Sequence, residues 1–316
     1  MSIHFPTFKI PSLVKGMHWQ LPSTEDACVF AILFAFALLL VLEARRARPG
    51  TLPAVARRSY LANLQTFLFN DTLMSLLSVS SLLLLAERYG EWGLLSLMER
   101  PWLKAVLTFV LLDLLFYLWH RAAHTWDWLW TFHKVHHSDR DVNVSTAFRL
   151  HFIEVLLSTL VKSVFVVLMG MEVRHVALTE TVTTLFVMFH HARISFRAER
   201  YLGWVFIMPH LHRLHHSVLR AEHDRNYGAV FSWWDRLFGS LDQREPFALG
   251  LKYVPSMNFL ELLRFGLAGN GAPNVRGFES MVAEAAYFRA EKRGFLPGFE
   301  LHDWLEAERE IHSRLA

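Results

Sequence analysis

The sequence contains a single cysteine, Cys28, and few charged residues. One cysteine excludes an intrachain disulfide framework, and it also excludes a zinc or iron–sulfur site built on cysteine thiolates. Charged residues make up only 19% of the 316 positions, whereas soluble domains usually carry roughly a quarter. The formal net charge of +3 is too small to indicate a nucleic-acid-binding surface, so we expect no nucleic acid partner.

Apolar residues take the place of the missing charge. The chain is 53% hydrophobic, with 26 phenylalanines and 11 tryptophans, and its mean hydropathy is +0.24. Long apolar stretches occupy residues 27–42, 61–86, 102–119 and 152–189, the last of them interrupted at 172–175 and therefore typical of a helical hairpin. Stretches of this length predict membrane-spanning helices. We therefore predict an all-α fold, an integral membrane bundle of about four to five spans.

Arginines between the first two apolar stretches indicate the orientation of the chain. Five of them lie within residues 45–58, and loops rich in arginine usually stay on the cytoplasmic side. Counting the crossings from there places His120 at the cytoplasmic end of its span and predicts a cytoplasmic helical cap. We expect a lead-in at residues 1–26, a membrane-embedded domain at 27–240 and a cytoplasmic tail at 241–316.

The chain has 18 histidines, an unusually high number, and they are clustered. Fourteen of them lie between positions 120 and 223. Their spacing forms one HxxxH motif and two HxxHH motifs: His120 and His124; His133, His136 and His137; His212, His215 and His216. Residues three and four apart share one face of a helix. Eight imidazoles from three segments could hold two metal ions with positions left open. The alternative is a set of hydrogen-bonded core histidines.

Other polar residues near these motifs leave their roles open. His191 lies where the apolar hairpin returns to the cytoplasmic side, so it is a further ligand candidate, whereas the roles of His190, His151 and His210 stay undecided. Asp113 is an intramembrane carboxylate seven residues before His120. Such a carboxylate either serves the site or makes a hydrogen bond between helices.

These motifs resemble the fatty acid hydroxylase superfamily, also called the sterol desaturase family. The resemblance runs from about residue 113 to about residue 239 and includes the two HxxHH motifs. Arg149-Leu-His151-Phe-Ile-Glu154 is similar to the family's Arg-x-His-Pro-x-Glu, with Phe152 in place of proline, and His191-Ala-Arg193 is similar to its His-Ala-Asn. Arginine at position 193 would suit an anionic head group, or it could be a structural residue at the end of a span.

The resemblance implies a di-iron centre, O2 as the oxidant and a membrane lipid as the substrate. The nine implied iron ligands are His120, His124, His133, His136, His137, His191, His212, His215 and His216. Residues that would orient ligands or substrate are Asp113, Glu154, Asp224 and Asn226. Imidazole also binds zinc, so zinc could occupy the site after purification. No carrier motif is fused to this chain, so we expect a separate electron-donor protein, a reductase acting through a haem or iron–sulfur carrier.

Two alternatives to lipid hydroxylation remain at this point. A desaturase would use the same metals and differ only in how the second hydrogen is lost, which motifs do not decide. A metal transporter or haem-handling protein would place its ligands along a path inside the spans, whereas these histidines gather at one end of the spans and beyond it.

Overall fold

A computed structural model describes residues 24–46, 54–77, 82–246, 248–252, 254–268 and 275–315. Over these ranges the chain is helical and has no strand, only the isolated β-bridges Phe206–Phe231 and Ser217–Leu249. The predicted all-helical class is therefore confirmed. Residues 1–23 of the predicted lead-in at 1–26 lie outside the described residues. Residues 47–53, within the arginine-rich stretch 45–58, also lie outside them.

Helices of very different lengths make up the described chain. The first seven are α1 Thr24–Arg46, α2 Ala54–Leu76, α3 Leu82–Tyr89, α4 Pro101–Thr125, α5 Asp127–His137, α6 Phe152–Met169 and α7 Val173–His191. The others are α8 Glu199–Leu202, α9 Pro209–His215, α10 Arg220–His223, α11 Trp233–Leu237, α12 Phe259–Leu267, α13 Val275–Lys292 and α14 Glu300–Leu315. Two 3-10 turns, Leu94–Leu97 and Val144–Phe148, complete the set.

Within the described ranges, three helical segments are long and apolar enough to cross a membrane: Asp26–Arg45, Pro101–Thr125 and Phe152–Met169. They belong to α1, α4 and α6. The α1 helix exposes Phe30, Leu33 and Phe34 at 59–71% of their surface, a density of apolar groups that suits contact with lipid. These helices support insertion of the chain into a membrane.

The span count of four to five stays a prediction, because two of the predicted crossings differ in the structure. The stretch at 61–86 is not one helix, since α2 ends at Leu76 and α3 begins at Leu82. Asn63, Thr66 and Asn70 of α2 are buried. One face of this helix therefore packs polar side chains against the protein and does not contact lipid. The returning arm of the hairpin, α7, is likewise too polar to be a candidate span.

The α7 helix is the central element around which the site assembles. It packs against α1, α3, α4 and α9, while α4 also packs against α5. The turn from α6 into α7 is fixed by Gly170, which ends α6 in the left-handed conformation with φ of 65°, as glycine often does at helix ends. This arrangement gathers the carboxyl-terminal ends of α4, α5 and α7 at one end of the bundle.

Part of the predicted C-terminal tail packs onto this bundle. Val254, Met257 and Leu262 form a core cluster with Ala62 and Val135, which places α12 against α2 and α5. The absence of a side chain at Gly266 allows α12 to approach the ring of His151. Farther along, α13 and α14 form a helical hairpin with its own small core.

Candidate metal centre

Four helices supply the predicted histidine ligands. The α4 helix carries His120 and His124, and α7 carries His191 at its last residue. The HxxHH motifs coincide with the ends of α5 and α9, where i, i+3 and i+4 spacing turns the rings toward one side. All nine predicted ligands are buried, and the structure brings them together in one place.

The nine histidines divide into two groups by distance. In each group, one ligand atom from every residue lies within 4.8 Å of those from the others. The five-histidine group consists of His120, His124, His133, His137 and His215. The four-histidine group consists of His136, His191, His212 and His216. The ring centroids of His137 and His216 lie 4.7 Å apart, so the two groups are neighbours.

The four-histidine group converges through its Nε2 atoms. The Nε2 of His191 lies 3.1 Å from that of His136, 2.9 Å from that of His212 and 3.2 Å from that of His216. The Nδ1 of His191 lies 2.6 Å from the carbonyl oxygen of Val187. A carbonyl only accepts, so Nδ1 carries the proton and Nε2 presents a lone pair. Nitrogen ligands about 2.1 Å from one metal ion lie about 3.0–3.4 Å apart, which fits this group.

Rings of the five-histidine group are likewise held through Nδ1, which leaves Nε2 free to bind a metal ion. His120 and His215 donate from Nδ1 to the carbonyl oxygens of Tyr227 and Arg225, at 2.8 and 2.7 Å. The Nε2 atoms of His120, His133 and His215 are buried and have no hydrogen-bond partner among the described residues. Buried imidazole nitrogens without partners are costly unless they bind something. The donor set is therefore suited to a metal ion that takes imidazole, such as iron or zinc.

Electrostatics keep the rings in the form that binds metal. Burial lowers the pKa of His137, His215 and His216 well below the usual value, and the neighbouring imidazoles lower it further. These rings are therefore neutral near pH 7. A neutral imidazole has a lone pair for a metal ion and needs to lose no proton on binding.

Two of the predicted carboxylates accept hydrogen bonds from rings of the five-histidine group. Glu154, in the first turn of α6, accepts from His133 Nδ1 at 2.6 Å, and both groups are buried. Asp224 accepts from His124 Nδ1 at 3.1 Å and is one-third exposed. A carboxylate behind a ligating histidine fixes its tautomer and raises its basicity. Both residues thus lie where the sequence comparison predicts orienting groups.

We expect Glu154→Gln to lower metal affinity by about 10–100-fold, the usual effect of losing such a partner. Asp224→Asn should have a smaller effect, because its hydrogen bond is longer and water can replace it. Metal titration of the apoprotein in detergent, followed by elemental analysis, would measure both variants. Equal affinities in Glu154→Gln and the wild-type protein would contradict the role of Glu154.

Asp113 and Asn226 form hydrogen bonds with groups outside both histidine groups. Asp113 accepts from the backbone N–H of Val230 at 3.1 Å and from Trp234 Nε1 at 2.8 Å. Asn226 donates to the carbonyl oxygens of Leu211 and Asp242, at 2.9 and 2.7 Å. Both residues thus support the segment that carries the hydrogen-bond partners of His120 and His215.

The histidines of undecided role lie outside both groups. His190 is buried, with its ring centroid 3.9 Å from that of His212. His151 caps α6 by accepting from the backbone N–H of Ile153 at 3.3 Å. His210 lies 3.2 Å from a carboxylate oxygen of Glu199.

Arg193 forms hydrogen bonds with other segments of the protein, and none with the histidine groups. Its guanidinium donates to Asp141 at 2.8 Å, and its backbone N–H donates to Glu43 at 2.6 Å. Of the two roles considered for this arginine, the structure supports the structural one.

A buried polar network beneath α5 was not predicted from the sequence. Asp139 accepts hydrogen bonds from Ser59, Asn63 and Thr146 at 2.7–3.1 Å. Burial alone would raise the pKa of Asp139, but the charge of Arg149 and these hydrogen bonds hold it below the usual range. The network holds the backbone that follows the first HxxHH motif in place. In the sequence, the only feature that pointed to this network was the motif that begins with Arg149.

A cavity of about 280 Å³ leads from the histidines into the bundle. At one end it is lined by ligand candidates from both groups: His120, His133, His136, His191 and His212. Its walls come from α4, α6 and α7, two of which are candidate spans. A molecule that enters between these helices would therefore reach both histidine groups.

Comparison with known proteins agrees with this site. A family model described as fatty acid hydroxylase matches residues 105–240, which contain all nine histidines and the cavity-lining part of α6 and α7. A second model, described only as a protein of unknown function, matches residues 278–313. No solved structure matches the chain.

Several curated proteins are similar to part of the chain. An ornithine lipid hydroxylase of Rhizobium tropici is 33% identical over 137 residues, which are 43% of this chain and 41% of that protein. The human alkylglycerol monooxygenase is 29% identical over 49% of this chain and 34% of its own length. The rat cholesterol 25-hydroxylase is 28% identical over 45% of this chain and 50% of its own length.

The match thus spans half or less of the length of each of these relatives. The motifs, their convergence and the family match lead to one conclusion. Residues 105–240 of this chain match the fatty acid hydroxylase family, as the resemblance of its motifs predicted.

Proposed function

We propose that this protein is a membrane-bound hydroxylase that oxidises a C–H bond of a lipid with O2 at a di-iron centre. The observation that carries the proposal is the meeting of two histidine groups at the end of a cavity walled by apolar helices. The similarity to an ornithine lipid hydroxylase and to an alkylglycerol monooxygenase supports it.

The reaction must be supplied with electrons. Hydroxylation converts R–H, O2, two electrons and two protons into R–OH and water. An alkyl C–H bond has neither acidity nor a leaving group, so acid–base side chains alone do not break it. Bound iron would supply the activation of O2. We propose that a separate reductase with a haem or iron–sulfur carrier delivers the electrons.

The residues of this chain hold and orient the reacting groups. The nine histidines of the two groups would bind two metal ions, and zinc could replace iron on purification. Glu154 and Asp224 fix the tautomers of His133 and His124. Asp113 and Asn226 act as positioning residues through the loops they bind. The helices around the cavity exclude bulk water from it, which favours oxidation of the lipid over side reactions.

The decisive test supplies 18O2, a reductase chain and lipid vesicles to the purified, iron-loaded protein. The expected product is a lipid hydroxyl that carries one 18O atom, detected by mass spectrometry. An unlabelled new double bond would assign the protein as a desaturase instead. Absence of any O2-dependent product across sterols, acyl lipids and alkylglycerols would refute oxygenase function.

We also propose that the histidine groups face the cytoplasm in a multi-pass protein of four to five spans, with the membrane domain at 27–240. The five arginines within residues 45–58, from the end of α1 to the start of α2, support this orientation. A C-terminal phosphatase or fluorescent reporter, each active in only one compartment, should report the cytoplasmic side. A signal from the opposite compartment would contradict the proposed orientation.

A further inference from the structure

An exposed apolar surface lies on two segments of the chain, one after α7 and one after α9. Its six residues are 40–80% exposed, and we call them the cap surface: Tyr201, Leu202, Trp204, Val205, Trp233 and Leu237. The two segments are joined, because the backbone N–H of Ser232 donates to the carbonyl oxygen of Val205 at 2.9 Å. Large apolar side chains at this density usually contact lipid or another protein.

The second segment runs along α4, which is a candidate span. Phe231 packs edge-to-face on Phe109 of α4, with ring centroids 5.4 Å apart, and Phe238 stacks on Tyr117 at 5.3 Å. Between these contacts lies Asp113, whose hydrogen bonds to the same segment are described above. Positions 109, 113 and 117 are spaced by about one helical turn, so one face of α4 carries all three contacts.

These contacts set the depth of the segment in a membrane that α4 crosses. The α4 helix ends at Thr125, beside the histidine groups. Tyr117 and Phe109 precede that residue by eight and sixteen positions, or about 12 and 24 Å along the helix. The hydrocarbon core of a bilayer is about 30 Å thick. The segment therefore lies beside the part of α4 that hydrocarbon would surround, and the cap surface joined to it would lie at the same depth.

The backbone of both segments meets the requirement for such a position. Lipid offers no hydrogen-bond partner, so an irregular segment at membrane depth must satisfy its polar groups within the protein. The backbone N–H groups of residues 201–207 all donate to carbonyl oxygens of the protein. Those of Val230 and Phe231 donate to the carboxylate of Asp113. A loop in water has no need of this pairing, so it favours lipid as the neighbour of the cap surface.

Arginines flank the cap surface. Arg197 and Arg200 are exposed and come just before it in the chain. The guanidinium of Arg236 lies 4.3 Å from the ring centroid of Trp204 and donates to the carbonyl oxygen of Gly203 at 3.1 Å. An arginine stem can lie along apolar surface while its charge reaches the head groups, and anionic head groups attract such charges. A second copy docked through the same surface would instead bring like charges together.

We propose that the cap surface is embedded in the lipid leaflet that adjoins the histidine groups, with Arg197 and Arg200 at its head groups. This part of the cap would therefore contact hydrocarbon and not the aqueous phase. The inference rests on the crossing of α4 that belongs to the proposed function, but not on the oxidation chemistry. Gly228 and Ala229 of the second segment line the cavity, so one wall of the cavity would be held at membrane depth by the same contacts.

The test places a nitroxide spin label on the cap surface of the zinc-loaded protein in lipid nanodiscs. Cys28 is the only cysteine, so Cys28→Ser removes the competing thiol, and Val205→Cys and Leu237→Cys each supply one labelling site. Electron paramagnetic resonance measures collision of the label with O2, which dissolves in hydrocarbon, and with chromium oxalate, which stays in water. Both labels should collide with chromium oxalate at least about tenfold less than a label at Arg309→Cys, because hydrocarbon excludes a charged complex. Their collision with O2 should be higher.

Two reference sites make the result decisive. The side chain of Arg309 is 74% exposed on α14 and represents water, whereas Leu118 is 46% exposed on α4 and represents lipid. Val205→Cys and Leu237→Cys should resemble Leu118→Cys. If chromium oxalate reaches both cap-surface labels as it reaches Arg309→Cys, while Leu118→Cys stays protected, the inference is wrong and the crossing of α4 stands. If it also reaches Leu118→Cys, α4 does not cross and the inference fails with it.

A protein partner would give a different pattern. Exclusion of both O2 and chromium oxalate from the two labels would mean that protein covers the cap surface, and this result would overturn contact with lipid. Dipolar broadening between labels would then identify the partner as a second copy of this chain. If either labelled variant fails to fold, Tyr201→Cys supplies another site, since that side chain is 80% exposed. No turnover is required, so the outcome does not depend on whether the protein oxidises any lipid.

Discussion

His136→Ala and His215→Ala should each remove metal from one group and reduce O2-dependent activity at least about 100-fold, or about 2.7 kcal/mol of barrier. His136 belongs to the four-histidine group and His215 to the five-histidine group. Each variant deletes an imidazole that faces the other ligands of its own group. Elemental analysis of the purified variants should therefore find fewer than two metal ions per chain.

The control for this prediction is His190→Gln. His190 is as buried as the ligands and its ring lies against that of His212, but it belongs to neither group. This variant should keep two metal ions per chain. Full activity in both His136→Ala and His215→Ala would refute the ligand assignment, and loss of metal in His190→Gln would enlarge the four-histidine group.

Arg149→Met should destabilise the protein by about 3–5 kcal/mol, the usual effect of leaving a buried charge without compensation. The Arg149 side chain is fully buried and donates to the carbonyl oxygen of Val135 at 3.0 Å and to Asn63 at 3.0 Å. Its loss leaves the carboxylate of Asp139 buried without a compensating charge. Because total stability is about 5–15 kcal/mol, the melting temperature of the solubilised protein should fall sharply.

Two companion variants define this effect. Arg149→Met/Asp139→Asn removes both charges and should recover part of the lost stability, since no buried charge remains unpaired. Arg309→Met removes an arginine whose side chain is 74% exposed beside Glu306, so its effect should stay below about 1 kcal/mol. A wild-type melting temperature in Arg149→Met would contradict the importance of the buried guanidinium.

The convergence of the histidines could be predicted from the sequence because their spacing follows the helical repeat. His133, His136 and His137 were assigned to one helical face, and the structure places them at the end of α5 facing the other histidines. The family resemblance implies orienting roles for Glu154 and Asp224, and each accepts a hydrogen bond from a ring of the five-histidine group. For the histidines a local pattern was sufficient, since it fixes the direction of each side chain.

Long-range partners could not be predicted in the same way. Ser59 and Asn63 lie 80 and 76 residues before Asp139, and no periodic pattern links serine or asparagine on one helix to a distant carboxylate. The same limit applies to the spans. The apolar stretch at 61–86 has the composition of a crossing, but the buried amides of Asn63 and Asn70 donate hydrogen bonds to the segment between α5 and α6.

The hydrogen bonds of Glu43 have a consequence for protein engineering. This residue of α1 accepts from the backbone N–H groups of Val144 and Arg193, at 3.0 and 2.6 Å, and from the hydroxyl of Tyr60. The fatty acid hydroxylase match begins only at residue 105. A chimera that transplants this matched segment alone would leave two buried amides without their acceptor. Exchange of segments between such proteins should therefore move α1 and α2 together with the histidine-bearing helices.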